Sequence, residues 1–142
     1  MAPGDGQVVT LDTNIAVYAL TRTDKRLRAR DVLRSVGFLS VQVLNEYANV
    51  AKRKLGRDWE TISHDLASLR NAAGRIKPIS DESNNDATRI AARYNIAFYD
   101  AVMIAVALAN GATTLYSEDM QHGMVIDGTL TITDPFLSTE TI

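Results

Sequence analysis

The chain has 142 residues, of which 46% are hydrophobic and 23% are charged, a size and composition typical of one folded domain. It contains no cysteine, which excludes a disulfide framework, a thiolate metal site and a cysteine nucleophile, and which suits a reducing cytosol. The net charge of −2 argues against a protein that coats nucleic acid through bulk electrostatic attraction.

Targeting signals are not evident in the sequence. The first residues, MAPGDGQ, contain neither a basic nor a hydrophobic segment of signal-peptide length, and no run approaches the roughly 18 apolar residues of a membrane-spanning helix. We therefore expect a cytoplasmic protein that does not enter a membrane. We also expect a single domain over residues 1–142, with its core at about residues 8–135.

The N-terminal part of the chain predicts a strand followed by a helix. VVTL, residues 8–11, is a β-branched apolar run, which predicts a buried strand leading through Asp12 into a loop or a helix start. Between residues 23 and 36, apolar side chains recur at the i, i+3, i+4, i+7 spacing of one helix face. Gly37 is expected to end that helix.

The alternation of strands and helices continues to the C-terminus. GFLS predicts a short strand, and its Ser40 is suited to cap a helix at residues 41–55, whose buried stripe includes Leu55. Gly56 is expected to close that helix. The remaining predicted elements are a helix at about residues 59–70, a strand in RIKPIS, a helix in SDESNNDATRIAARYNI, an apolar helix in FYDAVMIAVALANG, and strands in ATTLYS and TLTIT.

This order of elements predicts an α/β fold with a mainly parallel central sheet covered on both faces, because each parallel strand needs a crossover to return to the same edge. In such sheets, ligands bind beyond the carboxyl ends of the strands. Asp12 follows one predicted strand, and Asp119 follows another, TTLYS. Both aspartates are therefore expected near a ligand site.

Asp100 is the most informative carboxylate in the sequence. It is the only charged residue between Arg93 and Glu118, and it enters a helix whose next nine residues, AVMIAVALA, are apolar. A helix of that composition should be buried, and an unpaired buried carboxylate is costly. Asp100 either caps the helix and interacts with its positive end, or it belongs to a functional site.

Three further acids have ordinary explanations when each is taken alone. Asp12 is compatible with an Asx-type turn after a strand, and Asp119 with an ordinary turn acid that has Glu118 as a competing neighbour. Glu46 shares a polar helix stripe with Gln42, which favours a solvated side chain. If these acids and Asp100 converge on one crevice, however, they repel one another unless a cation lies between them.

A hard divalent cation resolves such repulsion, because Mg²⁺ and Mn²⁺ prefer oxygen ligands and bind phosphate oxygens as well. A metal held in this way can activate water at a phosphodiester, which is nuclease chemistry. Zinc is disfavoured because His64 and His122 lie far apart in the sequence. A phosphatase of the haloacid dehalogenase type is disfavoured because Asn14 stands where a second aspartate is usual.

Four ordered motifs resemble the acidic motifs of the PIN-domain nucleases, and more narrowly those of the VapC-type toxins of bacterial toxin–antitoxin pairs. They are LDTNI near the N-terminus, the glutamate in LNEYANV, the FYDA opening of an apolar helix, and YSEDMQHG after a later strand. The resemblance spans about residues 8–135. It implies a three-layer α/β/α domain, a Mg²⁺- or Mn²⁺-dependent endoribonuclease, a homodimer, and inhibition by a cognate antitoxin protein.

The resemblance also implies roles for individual residues. It assigns the main metal ligands to Asp12 and Asp100, a small orienting hydroxyl to Ser117, and the polar residue after the first acid to Asn14. The choice of Asp119 over Glu118 rests on the Ser-x-Asp spacing alone. The implied catalytic cluster consists of Asp12, Glu46, Asp100 and Asp119.

Basic residues are concentrated between residues 22 and 57, which hold ten of the 15 lysines and arginines. Four of them recur every fourth residue and predict a stripe along one helix: Arg22, Arg26, Arg30 and Arg34. These side chains are compatible with a solvated face, with a surface that tracks RNA phosphates, or with contacts to an acidic antitoxin segment. The candidate contact residues are Arg22, Arg26, Arg30, Arg34, Lys52 and Arg53.

Two functions from different classes follow from the sequence. The first is a metal-dependent ribonuclease that acts as a toxin. A nuclease directed at DNA is a variant of this hypothesis that the sequence does not exclude. The second is a PIN-like module that binds RNA or protein without cleaving, its acids serving as caps and turns. The presence of an acid at each of the four motif positions favours the nuclease, since a binding module has no need to gather like charges.

Overall fold

The computed structural model describes residues 6–137 of the chain. Within that range the chain forms six helices and six strands. The strands are β1 (Val9–Leu11), β2 (Leu39–Ser40), β3 (Ile76–Lys77), β4 (Thr114–Tyr116), β5 (Val125–Ile126) and β6 (Leu130–Thr133). The helices are α1 (Thr13–Ala19), α2 (Arg26–Ser35), α3 (Val41–Arg53), α4 (Trp59–Ala73), α5 (Asp81–Tyr94) and α6 (Phe98–Ala109).

The main sheet has the strand order β1-β4-β6-β5. The β1–β4 and β4–β6 pairs are parallel, whereas β5 and β6 form an antiparallel pair at the edge. Strands β2 and β3 form a short parallel ladder of their own. Two hydrogen bonds join the segment before β2 to β1: Gly37 N–H donates to Val9 O (2.8 Å) and Thr10 Oγ1 donates to Phe38 O (2.8 Å).

Helices flank this mainly parallel sheet, which confirms the predicted three-layer α/β/α fold. All three residues of β1 are buried, as expected of a parallel strand covered on both faces. Helix α6 is buried at every residue from 101 to 107, so its apolar composition reflects a helix enclosed by the core. It packs against α5, which has a polar outer face.

Several helix ends match the sequence. Ser40 accepts a hydrogen bond from the Gln42 N–H (3.1 Å), which confirms its predicted capping of α3. Asp58 and Ser80 cap α4 and α5 in the same way. Helix α5 ends where Asn95 adopts the left-handed conformation (φ 56°), one of the few conformations that favour asparagine over most other residues.

Three sequence expectations require correction. Helix α3 ends at Arg53, two residues before the predicted end, so Leu55 lies outside the buried stripe and is 37% exposed. Helix α4 continues to Ala73, beyond the predicted end at about residue 70. The antiparallel strand β5 was not predicted, because two residues are too few to produce a recognisable alternation.

No single helix in the part of the chain that the structure describes is both long enough and apolar enough to cross a membrane. Helices α5 and α6 meet the length and composition requirements only as a pair, with a bend of 116° between them. The expectation of one domain over residues 1–142, with a core at about residues 8–135, stays a prediction. Residues 1–5 and 138–142 lie outside the described residues.

Candidate active site

A cleft of about 610 Å³ opens beyond the carboxyl ends of β1 and β4. These strands are parallel neighbours in which Leu11 pairs with Tyr116, so the residues that follow them, Asp12 and Ser117, lie side by side. The Asp12 N–H extends the pairing by donating to Tyr116 O (3.0 Å). The cleft is lined by all four predicted acids, Asp12, Glu46, Asp100 and Asp119.

Asp12 is the most buried of these acids, with 6% of its surface exposed. Its Oδ2 accepts a 2.5 Å hydrogen bond from the Ser117 hydroxyl, whereas its buried Oδ1 has no hydrogen-bond partner among the described residues. Asp12 occupies the N-cap position of α1 but completes no capping hydrogen bond with its side chain. The turn interpretation therefore leaves one buried carboxylate oxygen unexplained.

Burial is the main reason that the pKa of Asp12 is raised from 3.8 to about 7. The Ser117 hydroxyl and the nearby Asn14 backbone lower this pKa, and the charges of Asp119 and Asp100 raise it further. Burial and the neighbouring charges therefore oppose the ionisation of Asp12 near neutral pH. A cation placed at Oδ1 would favour the ionised form.

Asp100 is the third residue of α6, and its carboxylate is half-buried at the cleft. The N-cap of this helix is Ala97, so the interpretation of Asp100 as the cap is wrong. Its place in the first turn still allows a favourable interaction with the helix dipole. Burial, followed by the charges of Glu46 and Asp119, raises the pKa of Asp100, as expected of acids that share one crevice.

Glu46 is held in place by two neighbours that sequence reasoning did not assign to the site. Thr13 Oγ1 donates to its Oε1 (2.5 Å), and Gln42 Nε2 donates to its Oε2 (3.1 Å) and to Tyr99 O (3.2 Å). Gln42 is itself buried. The interpretation of Glu46 as a freely solvated side chain is therefore wrong. The available signals were the adjacency of Thr13 to the first acid and the i, i+4 spacing of Gln42 and Glu46.

The two acids after β4, Glu118 and Asp119, contact different neighbours. Asp119 lines the cleft, and its Oδ2 accepts a hydrogen bond from Asn14 Nδ2 (2.5 Å). Glu118 accepts from the Tyr18 hydroxyl (2.5 Å) and pairs with Lys25, and both contacts lower the pKa of Glu118. The geometry thus favours Asp119 as the fourth acid of the cleft.

Ser117 is fully buried and also accepts a hydrogen bond from the Met120 N–H (3.1 Å). One hydroxyl therefore bonds to the first acid and to the backbone of the turn that carries the last one. Asn14 bridges the same two regions through its contact with Asp119. The two supporting residues expected from the sequence, Ser117 and Asn14, thus lie where they can orient acids.

The structure does not bring the six candidate basic residues together at the cleft. Arg22 precedes α2, so the predicted stripe of four arginines on one helix is wrong, and three of them lie on α2. Arg30 donates to Ala19 O (3.0 Å), and Arg34 pairs with Asp31 at the surface (3.2 Å). The other three candidates are Arg26 at the start of α2 and Lys52 and Arg53 at the end of α3.

The family model of the PIN domain matches residues 9–123, which is most of the chain and includes all four cleft acids. The chain belongs to the PIN-domain family. A search of curated protein sequences finds no match. The nuclease family expected from the sequence is thus confirmed at the level of the PIN domain.

Solved structures with the same fold include bacterial toxins. VapC20 of Mycobacterium tuberculosis, described as a sarcin-ricin loop cleaving toxin, is 18% identical with a TM-score of 0.63, covering 78% of this chain and 89% of that one. A toxin–antitoxin complex from Klebsiella pneumoniae is 20% identical (TM-score 0.64; 90% and 98% covered). VapBC2 from Rickettsia felis, bound to a DNA fragment from its promoter, is 21% identical (TM-score 0.66; 90% and 100% covered).

PIN nucleases generally use divalent metal ions. Within residues 6–137 of this PIN domain, no group of three or more histidine, cysteine, aspartate or glutamate side chains is arranged to hold a metal ion. Mg²⁺ needs fewer, since one or two carboxylates commonly hold it together with waters and phosphate oxygens. The unpartnered Oδ1 of Asp12, with Asp100 beside it, provides oxygen ligands of that kind.

Proposed function

We propose that this PIN domain is a Mg²⁺- or Mn²⁺-dependent endoribonuclease and the toxin of a toxin–antitoxin pair. The observation that carries the proposal is Asp12, a buried acid with one unpartnered oxygen at a cleft that it shares with Asp100 and Asp119. This arrangement does not stabilise the fold, because burial opposes the ionisation of Asp12 and the neighbouring acids repel it.

Asp12 and Asp100 are the proposed ligands of the cation. When bound, the cation supplies positive charge at the phosphodiester and increases the acidity of a water molecule. In the hydrolysis, a bond from a water oxygen to phosphorus forms as the bond from phosphorus to the leaving ribose oxygen breaks, and that oxygen takes up a proton. The chain's own contribution is to hold its carboxylates at fixed positions around the phosphate.

Glu46 and Asp119 are the acids placed to receive a proton from the attacking water. Both oxygens of Glu46 already accept hydrogen bonds, from Thr13 and Gln42, so this carboxylate is held firmly but is less free to bind water. Asp119 uses its Oδ2 for Asn14. We assign Asp119 Oδ1 as the acceptor and Glu46 as a charge that strengthens cation binding.

An antitoxin partner is supported by the likeness to solved toxin–antitoxin assemblies, which extends over 90% of this chain and nearly all of each matched chain. A homodimer remains part of the proposal on the same family grounds. Basic side chains outside the cleft are the proposed contacts to RNA or to the antitoxin. Among these we favour the exposed Arg22 and Arg53 over Arg30, whose guanidinium is already bound to Ala19 O.

The proposed function is tested by exposing a mixed RNA pool, and a DNA pool beside it, to antitoxin-free protein in Mg²⁺, in Mn²⁺ and in EDTA. We expect metal-dependent cleavage of RNA by the native chain and none by Asp100→Asn. Asp31→Asn is the matched control, since Asp31 is an exposed acid away from the cleft. If folded native protein cleaves neither pool, the nuclease proposal fails and the non-catalytic binding module replaces it.

A further inference from the structure

An exposed aromatic side chain, Tyr99, lines the acidic cleft, and a second one, Phe98, lies against it. Tyr99 is 69% exposed and lines the cleft, and Phe98 is 41% exposed. Their rings meet edge to face, with centroids 6.0 Å apart and planes inclined by 68°. Tyr99 immediately precedes Asp100, so this aromatic pair lies next to a proposed metal ligand.

The aromatic pair is held in a defined position relative to the acids. Both residues belong to the first turn of α6, whose following residues are buried in the core. Gln42 Nε2 donates to the backbone oxygen of Tyr99 and to Glu46 Oε2, so one side chain links the two sides of the cleft. The edge-to-face contact with Phe98 supports the Tyr99 ring while much of that ring stays exposed.

The lining of the cleft also includes two amide side chains from α3. Asn45 and Asn49 lie one helical turn apart on α3, are exposed, and line the cleft. A side-chain amide offers two N–H donors and a carbonyl acceptor, a pattern that matches the edges of nucleobases. An aromatic ring and two amides that line the same cleft form a site suited to a flat group with polar edges.

The charges in the cleft increase the need for such a site. Among the described residues that line it, four are acidic and none is lysine, arginine or histidine. A phosphate chain entering this cleft is therefore repelled by the carboxylates, and no basic side chain among the described lining residues offsets that repulsion. Stacking of a base on an aromatic ring provides binding that does not depend on positive side chains.

We propose that Tyr99, supported by Phe98, is a stacking site for an unpaired nucleobase of single-stranded RNA beside the cleaved phosphate, with Asn45 and Asn49 contacting the edge of that base. This inference rests on the proposed function for the identity of the substrate. A base within a double helix is stacked on its neighbours and cannot reach the ring, so the site selects unpaired nucleotides.

The test uses a short single-stranded RNA in which 2-aminopurine replaces one adenine, because the fluorescence of this base falls when it stacks on an aromatic ring. The oligonucleotide is titrated with native protein in EDTA and again in Ca²⁺. We expect saturable quenching, an affinity reduced about 5- to 150-fold in Tyr99→Ala, and an affinity within about twofold of native in Tyr99→Phe. Val125→Ala is the control, because Val125 is 48% exposed on β5 and does not line the cleft.

Three outcomes overturn the inference: no quenching by native protein, equal affinity of Tyr99→Ala and native protein, or a change of oligomer mass in Tyr99→Ala measured by light scattering. The last would make the aromatic pair a protein contact. Cleavage is followed separately on a gel with Mg²⁺ or Mn²⁺. Loss of the nuclease proposal with Tyr99-dependent quenching intact would leave a base-binding module, so the two proposals fail independently.

Discussion

The Ser117 hydroxyl donates a 2.5 Å hydrogen bond to Asp12 Oδ2, although the two residues are 105 positions apart in the chain. The two residues are nevertheless close in space because β1 and β4 are adjacent parallel strands that end in register. It satisfies one oxygen of the buried carboxylate and leaves Oδ1 without a hydrogen-bond partner among the described residues. The Asp12 carboxylate is thus held in one orientation through Oδ2, while Oδ1 can accept a further contact at the cleft.

Asp12→Asn should stabilise the metal-free protein at neutral and alkaline pH. The pKa of Asp12 is raised from 3.8 to about 7 in the fold, so its contribution to stability is fully present below about pH 3.8 and is lost as the pH rises through about 7. Asparagine does not titrate and escapes this loss, which is on the order of a few kcal/mol because each pKa unit is worth about 1.4 kcal/mol.

The measurement is urea unfolding in EDTA at pH 5 and pH 8. We expect the stability gain of Asp12→Asn over the native chain to be larger at pH 8 than at pH 5. Adding Mg²⁺ should stabilise the native chain more than the variant. Equal gains at both pH values would contradict the assignment of a buried titrating group at Asp12.

Ser117→Ala should lower both stability and cleavage. The substitution removes the donor to Asp12 Oδ2 and the acceptor of the Met120 N–H, leaving buried polar atoms that cost about 1–3 kcal/mol. Chemical unfolding and RNA cleavage at saturating Mg²⁺ measure the two effects. Ser35→Ala is the control, because the Ser35 hydroxyl bonds only within α2 and should change cleavage little.

Thr13→Val should reduce cleavage without unfolding the protein. Valine keeps the shape of threonine but removes the hydroxyl that donates to Glu46 Oε1, so Glu46 becomes less precisely held and Gln42 is its remaining partner. We expect a loss of about tenfold in the apparent cleavage rate, equivalent to about 1.4 kcal/mol. Unchanged cleavage at limiting Mg²⁺ would show that Glu46 needs no such support. Thr88→Val, on the exposed side of α5, provides the comparison.

Lys25→Met should weaken cleavage more than stability. Lys25 pairs with Glu118, the neighbour of Asp119, and this pairing, with the hydrogen bond from Tyr18, anchors the turn after β4. The pair is partly exposed and contributes little to global stability. We expect a several-fold higher Mg²⁺ requirement for cleavage with nearly unchanged unfolding. Arg89→Met, which breaks surface pairs with Asp86 and Asp127, should leave the Mg²⁺ requirement as it is.

Most of the fold follows from local patterns in the sequence. The strand before Asp12, the caps at Ser40 and the fully apolar α6 each carry a signal that depends on residues close in the chain. Strand β5 carries no such signal, since it has two residues and is defined by its pairing with β6. The exposure of Leu55 depends on where α3 unwinds, which its neighbours in sequence do not specify.

The site was less accessible to sequence reasoning than the fold. The four acids were located through the family resemblance, and the structure places all four at one cleft. The roles of Thr13 and Gln42 depend mainly on contacts between α1, α3 and α6, and the only local signals are the adjacency of Thr13 to Asp12 and the i, i+4 spacing of Gln42 and Glu46. For the basic residues, a local pattern was present but misleading. The regular spacing of the arginines predicted one surface stripe, whereas Arg30 donates a hydrogen bond to the end of α1.

The pairing of β1 with β4 has a consequence for the time at which activity arises during synthesis. A chain is made from its N-terminus, and Val9 has no β4 partner until Thr114 has left the ribosome. Ser117 and Asp119 can therefore take their places near Asp12 only after most of the chain has been synthesised. Because the cleft forms only with the last strands, an unfinished or prematurely terminated product lacks the assembled group of acids. The proposed nuclease would therefore be inactive while it is being made.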